Sequence, residues 1–131
     1  MIKLKRAYER ASRTDGTRFL VDRLWPRGLS KTALRVDAWL KDVSPSTPLR
    51  RWFSHDPARW DEFRKRYARQ LESSPDAWQL ILSATRRGTV TLVYSARDER
   101  HNNAVALREY LNAKRRKSTT FTRTGARRHA H

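Results

Sequence analysis

At the start of the chain Ile2 and Leu4 alternate with Lys3 and Lys5, the period-two pattern of a strand with one buried face. The segment from Tyr8 to Gly16 is polar and closes on the turn dipeptide Asp15-Gly16, after which Phe19-Leu20-Val21 predicts a buried second strand ending at Asp22. Pro26 and Gly28 interrupt regular structure, and Ser30 is placed to cap a short helical turn through Lys31, Thr32 and Ala33. Beyond it Leu34, Val36, Ala38 and Leu40 alternate with Arg35, Asp37, Trp39 and Lys41, which favours a third strand over a helix.

The period then changes. Thr47-Pro48 predicts a cap followed by proline at the first helical position, opening a short helix that carries Leu49, Trp52 and Phe53. Asp56-Pro57 repeats the signal, and Trp60, Phe63, Tyr67 and Leu71 follow at steps of three, four and four, one apolar helix stripe with Arg64, Lys65 and Arg69 opposite. Ser74-Pro75 starts a third helix through Trp78, Ile81 and Leu82, which stops at Gly88 after Arg86 and Arg87. Thr89-Val90-Thr91-Leu92-Val93-Tyr94 has the β-branched and aromatic content of a central strand, and a last helix uses Val105, Leu107 and Leu111. Strands separated by helices predict an α/β fold: a single small domain over residues 1–111, with a mainly parallel sheet flanked by helices. Residues 112–131 hold one aromatic, Phe121, among basic and small residues, and read as a disordered basic tail.

Charge sharpens this picture. The 131 residues carry 30 Lys and Arg against 13 Asp and Glu, a formal net charge of +17. Seven of the bases (Lys114, Arg115, Arg116, Lys117, Arg123, Arg127 and Arg128) lie beyond Glu109 with no acid among them, yet the body keeps a large basic excess. That is the electrostatic footprint of a polyanionic partner such as DNA, RNA or a nucleotide, although a basic surface also occurs as a solvated face with no ligand. Arg64, Lys65, Arg69, Lys114, Arg115, Arg116 and Lys117 are the candidate nucleic-acid contacts. The absence of cysteine excludes disulfides, thiolate nucleophiles and cysteine-ligated zinc, and the four histidines have no metal-ligand spacing. No cofactor is expected. With no apolar run of membrane-spanning length and no secretion signal at Met1-Ile2-Lys3-Leu4-Lys5-Arg6, a cytoplasmic protein without membrane contact is expected.

Parallel sheets place ligands outside the carboxyl ends of their strands, where two polar clusters fall. The first is Asp22, Arg23 and Arg27, in a loop shaped by Pro26 and Gly28. The second is Ser95, Arg97, Asp98, His101 and Asn102. If the two strands are neighbours the clusters converge, with the arginines suited to a phosphate or carboxylate and Asp22 and Asn102 to a sugar or base. Asp22, Arg23, Arg27, Ser95, Arg97 and Asn102 are therefore candidate ligand contacts, and Asp22, Asp98 and His101 candidate catalytic groups. Each has an ordinary alternative. Asp22 reads equally well as a cap or ion-pair partner, the two arginines as side chains packed along Trp25, and His55 as a loop histidine. Ser95 lacks the glycine-flanked elbow of a hydrolase nucleophile, and no glycine-rich phosphate loop occurs.

The strings Val21-Asp22-Arg23-Leu24-Trp25-Pro26-Arg27-Gly28, Trp39-Leu40-Lys41-Asp42-Val43-Ser44-Pro45-Ser46 and Leu49-Arg50-Arg51-Trp52-Phe53-Ser54-His55 carry a resemblance. With Val90-Thr91-Leu92-Val93-Tyr94-Ser95-Ala96-Arg97-Asp98 and His101-Asn102, they resemble the YeaO-like branch of the DUF488 family over residues 1–111. The resemblance implies a compact intracellular α/β domain and brings no established activity. Other branches carry a Cys-Ala-Glu-Lys-like start and a His-Cys-His-Arg-like end around the late strand. Here the matching positions are Tyr94, Ser95, Ala96 and Arg97, then His101, Asn102, Asn103 and Ala104, so both cysteines, the glutamate, the second histidine and the arginine are absent. Three readings stay open: a nucleic-acid- or nucleotide-associated binding module, a small hydrolase acting on a nucleotide-like glycosidic or phosphoester bond, and a module that binds a protein partner.

Overall fold

Five consecutive buried residues, Val90–Tyr94, form a strand with neighbours on both sides and cover on both faces. In the computed structural model, which describes the backbone of residues 1–129 and the side chains of residues 1–117, this is β4. It pairs in parallel with β1 (Ile2–Arg6), from Ile2 opposite Val90 to Arg6 opposite Tyr94. On its other side it pairs in parallel with β2 (Thr17–Leu20), from Thr17 opposite Val90 to Leu20 opposite Val93. A two-residue β3 (Ala38–Trp39) pairs with Phe19 and Leu20, giving a four-stranded, all-parallel sheet in the order β1-β4-β2-β3. The α/β fold and its parallel sheet are as the sequence predicts.

The expected third strand is the exception. Leu34 closes a one-turn helix, α1 (Lys31–Leu34), capped by the Ser30 hydroxyl, which accepts from the Ala33 N–H at 3.1 Å. Arg35 then turns the chain in the left-handed region (φ 51°, ψ 46°), so only Ala38 and Trp39 are left to pair. The alternation from Leu34 is split between the two faces of the sheet, Leu34 and Val36 packing on one and Ala38 and Leu40 on the other. Leu34, Ala7, Leu20 and Val93 form a small core on one face of the sheet, with Val36, Trp39, Trp25 and Leu29 around it.

The larger core lies on the opposite face. There Phe19 and Val21 of the β2 segment, with Val90, Leu92 and Tyr94 of β4, meet α2 (Thr47–Phe53), α3 (Trp60–Glu72), α4 (Pro75–Thr85) and α5 (Asn103–His129). The α3 stripe is as predicted, with Phe63, Tyr67 and Leu71 buried and Trp60 partly so, and Tyr67 donating its hydroxyl to the Val43 carbonyl. The cap of α2 is Ser46, whose hydroxyl accepts from Leu49 N–H at 3.3 Å, so Thr47 is the first helical residue and Pro48 follows it. Asp56 caps a 3-10 turn, Pro57–Arg59, that leads into α3.

The α5 helix continues past Leu111, where the sequence reading placed the start of a tail. Lys114 donates to Glu72 on α3 at 3.0 Å and lies over the Trp78 and Tyr110 rings, so the chain is docked at least that far. The side chains of 118–131 lie outside the described residues, and with them most of the segment expected to be disordered. Among the described residues no helix is long and apolar enough to cross a membrane.

Candidate functional site

Because β2 and β4 are neighbours and parallel, the two polar clusters leave the same end of the sheet on adjacent strands. Asp22 joins them. Its Oδ2 accepts from the Ser95 N–H at 2.9 Å and the Ser95 hydroxyl at 2.7 Å, and its Oδ1 accepts from Asn103 Nδ2 at 3.1 Å. The same Asn103 amide reaches the Val21 carbonyl at 3.1 Å, and the Trp39 indole donates to the Asp22 carbonyl at 2.7 Å. One residue thus ties the ends of β2, β3 and β4 to the first turn of α5. Burial, helped by the nearby charge of Asp22, holds the Tyr67 hydroxyl far above its ordinary pKa, so it stays protonated as the donor to Val43.

The loop after Asp22 is fixed from several sides. Trp25 donates to the Leu29 carbonyl at 2.6 Å and packs edge-on against Trp39 at 5.4 Å, Gly28 supplies a φ of 82°, and the Tyr8 hydroxyl holds the Arg27 carbonyl at 2.9 Å. This rigid loop leaves Leu24 67% exposed. Arg23 and Arg27 have no acid partner among the described residues, and the Arg23 Nε is buried with no acceptor. Among the described residues the cation–π contacts near this loop are Arg6 over Tyr8 and Lys41 over Trp39.

The second cluster folds on itself. Asp98 accepts from the backbone N–H groups of Arg100 at 2.9 Å and His101 at 3.0 Å, and its other oxygen lies 3.0 Å from His101 Nδ1. The Arg100 N–H, followed by the His101 ring, holds the Asp98 carboxyl below its ordinary pKa. The His101 ring stands edge-on to Trp60 at 5.3 Å. Asn102 is almost fully buried and caps α5, donating to the Asp98 carbonyl at 2.9 Å and accepting from Val105 N–H at 3.0 Å. Arg6 pins the loop by donating to the Ala96 carbonyl at 3.0 Å and the Ser95 carbonyl at 3.3 Å.

A family described as the inactive DUF488-N3 subclade matches residues 1–127. The chain belongs to that subclade. It is similar to the uncharacterised protein YeaO of Escherichia coli K12, 38% identical over 110 residues, which cover 84% of this chain and 96% of YeaO. It is also similar to an uncharacterised protein of Mycobacterium tuberculosis H37Rv, 41% identical over 113 residues, covering 86% of this chain and 95% of the relative. No solved structure matches.

In this DUF488 chain the structure brings together Asp22 and Ser95, and separately Asp98, His101 and Asn102. No hydrogen bond or ion pair among the described residues links the two groups directly. Asn103, which sequence reasoning passed over, holds Asp22, while Asn102 serves the helix start. The only signal for Asn103 is a second asparagine at a helix N-terminus. Of the basic residues proposed for nucleic acid, Arg64 is engaged by Asp61 at 2.6 Å and Glu109 at 3.0 Å, Lys114 by Glu72, and Arg115 by Asn112 at 3.4 Å. Lys65, Arg69, Arg116 and Lys117 are exposed. Among the described residues there is no group of three or more metal-ligating side chains.

Proposed function

We propose that the chain is a cytoplasmic nucleic-acid-binding module that holds phosphates on cations left free around the carboxyl end of its sheet. One contrast carries this reading. Two acids at that end, Asp22 and Asp98, each meet three donors within the fold, and Glu9 and Glu99 stay exposed, whereas Arg23, Arg27 and Arg97 have no acid partner among the described residues. A carboxylate saturated by internal donors is a poor proton acceptor, while unpaired guanidinium groups are suited to phosphate oxygens. The subclade's description as inactive agrees with binding in place of turnover.

The test is fluorescence anisotropy with labelled single-stranded DNA, single-stranded RNA and duplex DNA from about 50 to 200 mM salt. Neutralising several phosphates predicts an affinity that falls at least tenfold over that range. An Arg23→Gln/Arg27→Gln/Arg97→Gln variant should weaken all three probes. Absence of binding, or binding indifferent to salt, refutes the reading.

The Asp98–His101 pair supports a hydrolase as the second reading, since a carboxylate on Nδ1 orients an imidazole whose other nitrogen can take a proton. Against it, the neighbouring Ser95 hydroxyl donates to Asp22. Turnover of a nucleotide panel that disappears in Asp98→Asn would favour this reading over the first.

A further inference from the structure

A second region of unpaired positive charge lies behind the signature loop. The segment that follows β1 and the one around α1 face each other across an open cleft of about 550 Å³, lined by Arg10, Ala11, Ser30, Thr32, Ala33 and Arg35. It is a shallow cleft, with every lining residue but Ala11 exposed. No acid lines it, and neither Arg10 nor Arg35 has an acid partner among the described residues.

Two features set the cleft apart from an ordinary basic surface. The first is Arg35 itself, at φ 51° and ψ 46° in the position just after a helix, where glycine or asparagine is the economical choice. A long charged residue held in a strained conformation is most readily understood if its side chain is needed there. The second is the support behind the cleft. Asp15, only 2% exposed, binds Lys5 at 2.8 Å and Arg18 at 2.7 Å. Lys5 in turn donates to the Arg10 carbonyl at 3.1 Å, and Arg18 donates to the carbonyls of Leu34 at 2.7 Å and Arg35 at 3.0 Å. One buried carboxylate therefore holds two cations, each of which fixes the backbone beneath one of the facing arginines. Support of this kind pre-organises a binding site.

We infer that the cleft between Arg10 and Arg35 is a phosphate-binding site, with the two guanidinium groups as its charged walls and the Ser30 and Thr32 hydroxyls as additional donors. The inference rests on the reading that the partner of this protein carries phosphate, and it assigns a position for that phosphate distinct from the strand-end arginines. The phosphate is either part of a nucleic-acid backbone or that of a free nucleotide.

The experiment measures binding of a labelled single-stranded DNA 12-mer by anisotropy and of ADP by calorimetry, on the full chain and on Arg10→Gln, Arg35→Lys and Arg35→Gly, with melting temperatures alongside. Arg35→Gly should cut affinity at least fivefold while leaving the melting temperature unchanged or higher, because glycine relieves the left-handed strain. That combination excludes misfolding as the cause. Arg10→Gln should lose a similar factor, and Arg35→Lys should retain part of the affinity. If the parent chain binds DNA and all three variants bind it equally well, the inference is overturned and the nucleic-acid reading stands. If the parent binds ADP but not DNA, and Arg35→Gly loses it, the site stands and the nucleic-acid reading falls. If the parent binds neither probe, both fall.

Discussion

Asp15→Asn should destabilise the protein more than almost any other single polar substitution. The carboxylate accepts from Lys5 Nζ at 2.8 and 3.1 Å, from Arg18 Nη1 at 2.7 Å and from the Ser12 N–H at 2.9 Å. Arg18 is itself 4% exposed, so without the charge of Asp15 its guanidinium is left with neutral partners in a buried position. Removing one member of a buried pair costs about 3–5 kcal/mol, and at this chain length that lowers the melting temperature by about 10–20 °C. Urea unfolding followed by tryptophan fluorescence measures it, with an unchanged m-value showing that stability alone has moved. The pH dependence gives a second check. Burial alone would raise the Asp15 pKa, but the hydrogen bonds from Lys5, Ser12 and Arg18 outweigh it and hold the group below its ordinary value of 3.8. A depressed folded-state pKa means this stabilisation is complete above about pH 4 and drains away as pH falls through the folded value. The gap between parent and Asp15→Asn should therefore narrow only in strong acid. Arg18→Met should cost less, because Asp15 keeps Lys5. A loss below about 1 kcal/mol for Asp15→Asn, or a gap independent of pH down to acid unfolding, would refute the claim that the network is held by this charge.

Gly16→Ala should destabilise strongly in the same urea assay, by about 2 kcal/mol or more, since φ is 64° and an added Cβ would stand 2.0 Å from the Thr89 carbonyl oxygen. Tyr67→Phe should cost about 1–3 kcal/mol by leaving the buried Val43 carbonyl without its donor. Asp22→Asn should cost about 1–3 kcal/mol by disturbing its bonds to Ser95 and Asn103, yet leave oligonucleotide affinity within twofold of the parent. A loss of affinity there with unchanged stability would mean that Asp22 is a ligand contact.

The elements with a single strong period were legible in the sequence: β4 from its unbroken apolar run, α3 from its stripe, and the helix starts from Ser or Asp ahead of proline. The misread third strand traces to the second face of the sheet. It is covered by loops and a one-turn helix, so its small core draws on Ala7, Leu20, Leu34 and Val93, residues scattered over four segments, and no local period reports it. Between Leu34 and Leu40, Leu34 and Val36 pack on that face but Ala38 and Leu40 on the opposite one, so the alternation resembled a single strand without being one. Thr91 was legible as a strand position and Arg18 fell just ahead of the run read as the second strand, but nothing local said that a polar residue at either place would be buried. Their partner Asp15 sits in a turn dipeptide that is ordinarily exposed; Arg18 bonds its carboxylate and Thr91 donates to its carbonyl at 2.7 Å.

The Asp22–Gly28 signature divides in the fold. Read as sequence, Asp22, Arg23 and Arg27 look like one polar cluster with one purpose, and Asp22 stands out as the chemical group. In the fold they separate. Asp22 turns inward to hold Ser95 and Asn103, Trp25 and the carbonyl of Arg27 are tied down by Leu29 and Tyr8, and Arg23 and Arg27 are left without an acid partner among the described residues, Arg23 half-buried and Arg27 exposed. A loop tied down in this way keeps its acid inward and leaves the Arg27 side chain exposed. Rigidity lowers the ordering cost of binding, and cations without internal acid partners need not break an ion pair to take up phosphate. On the proposed reading the loop contributes cations and needs no nucleophile, which fits a sequence without cysteine.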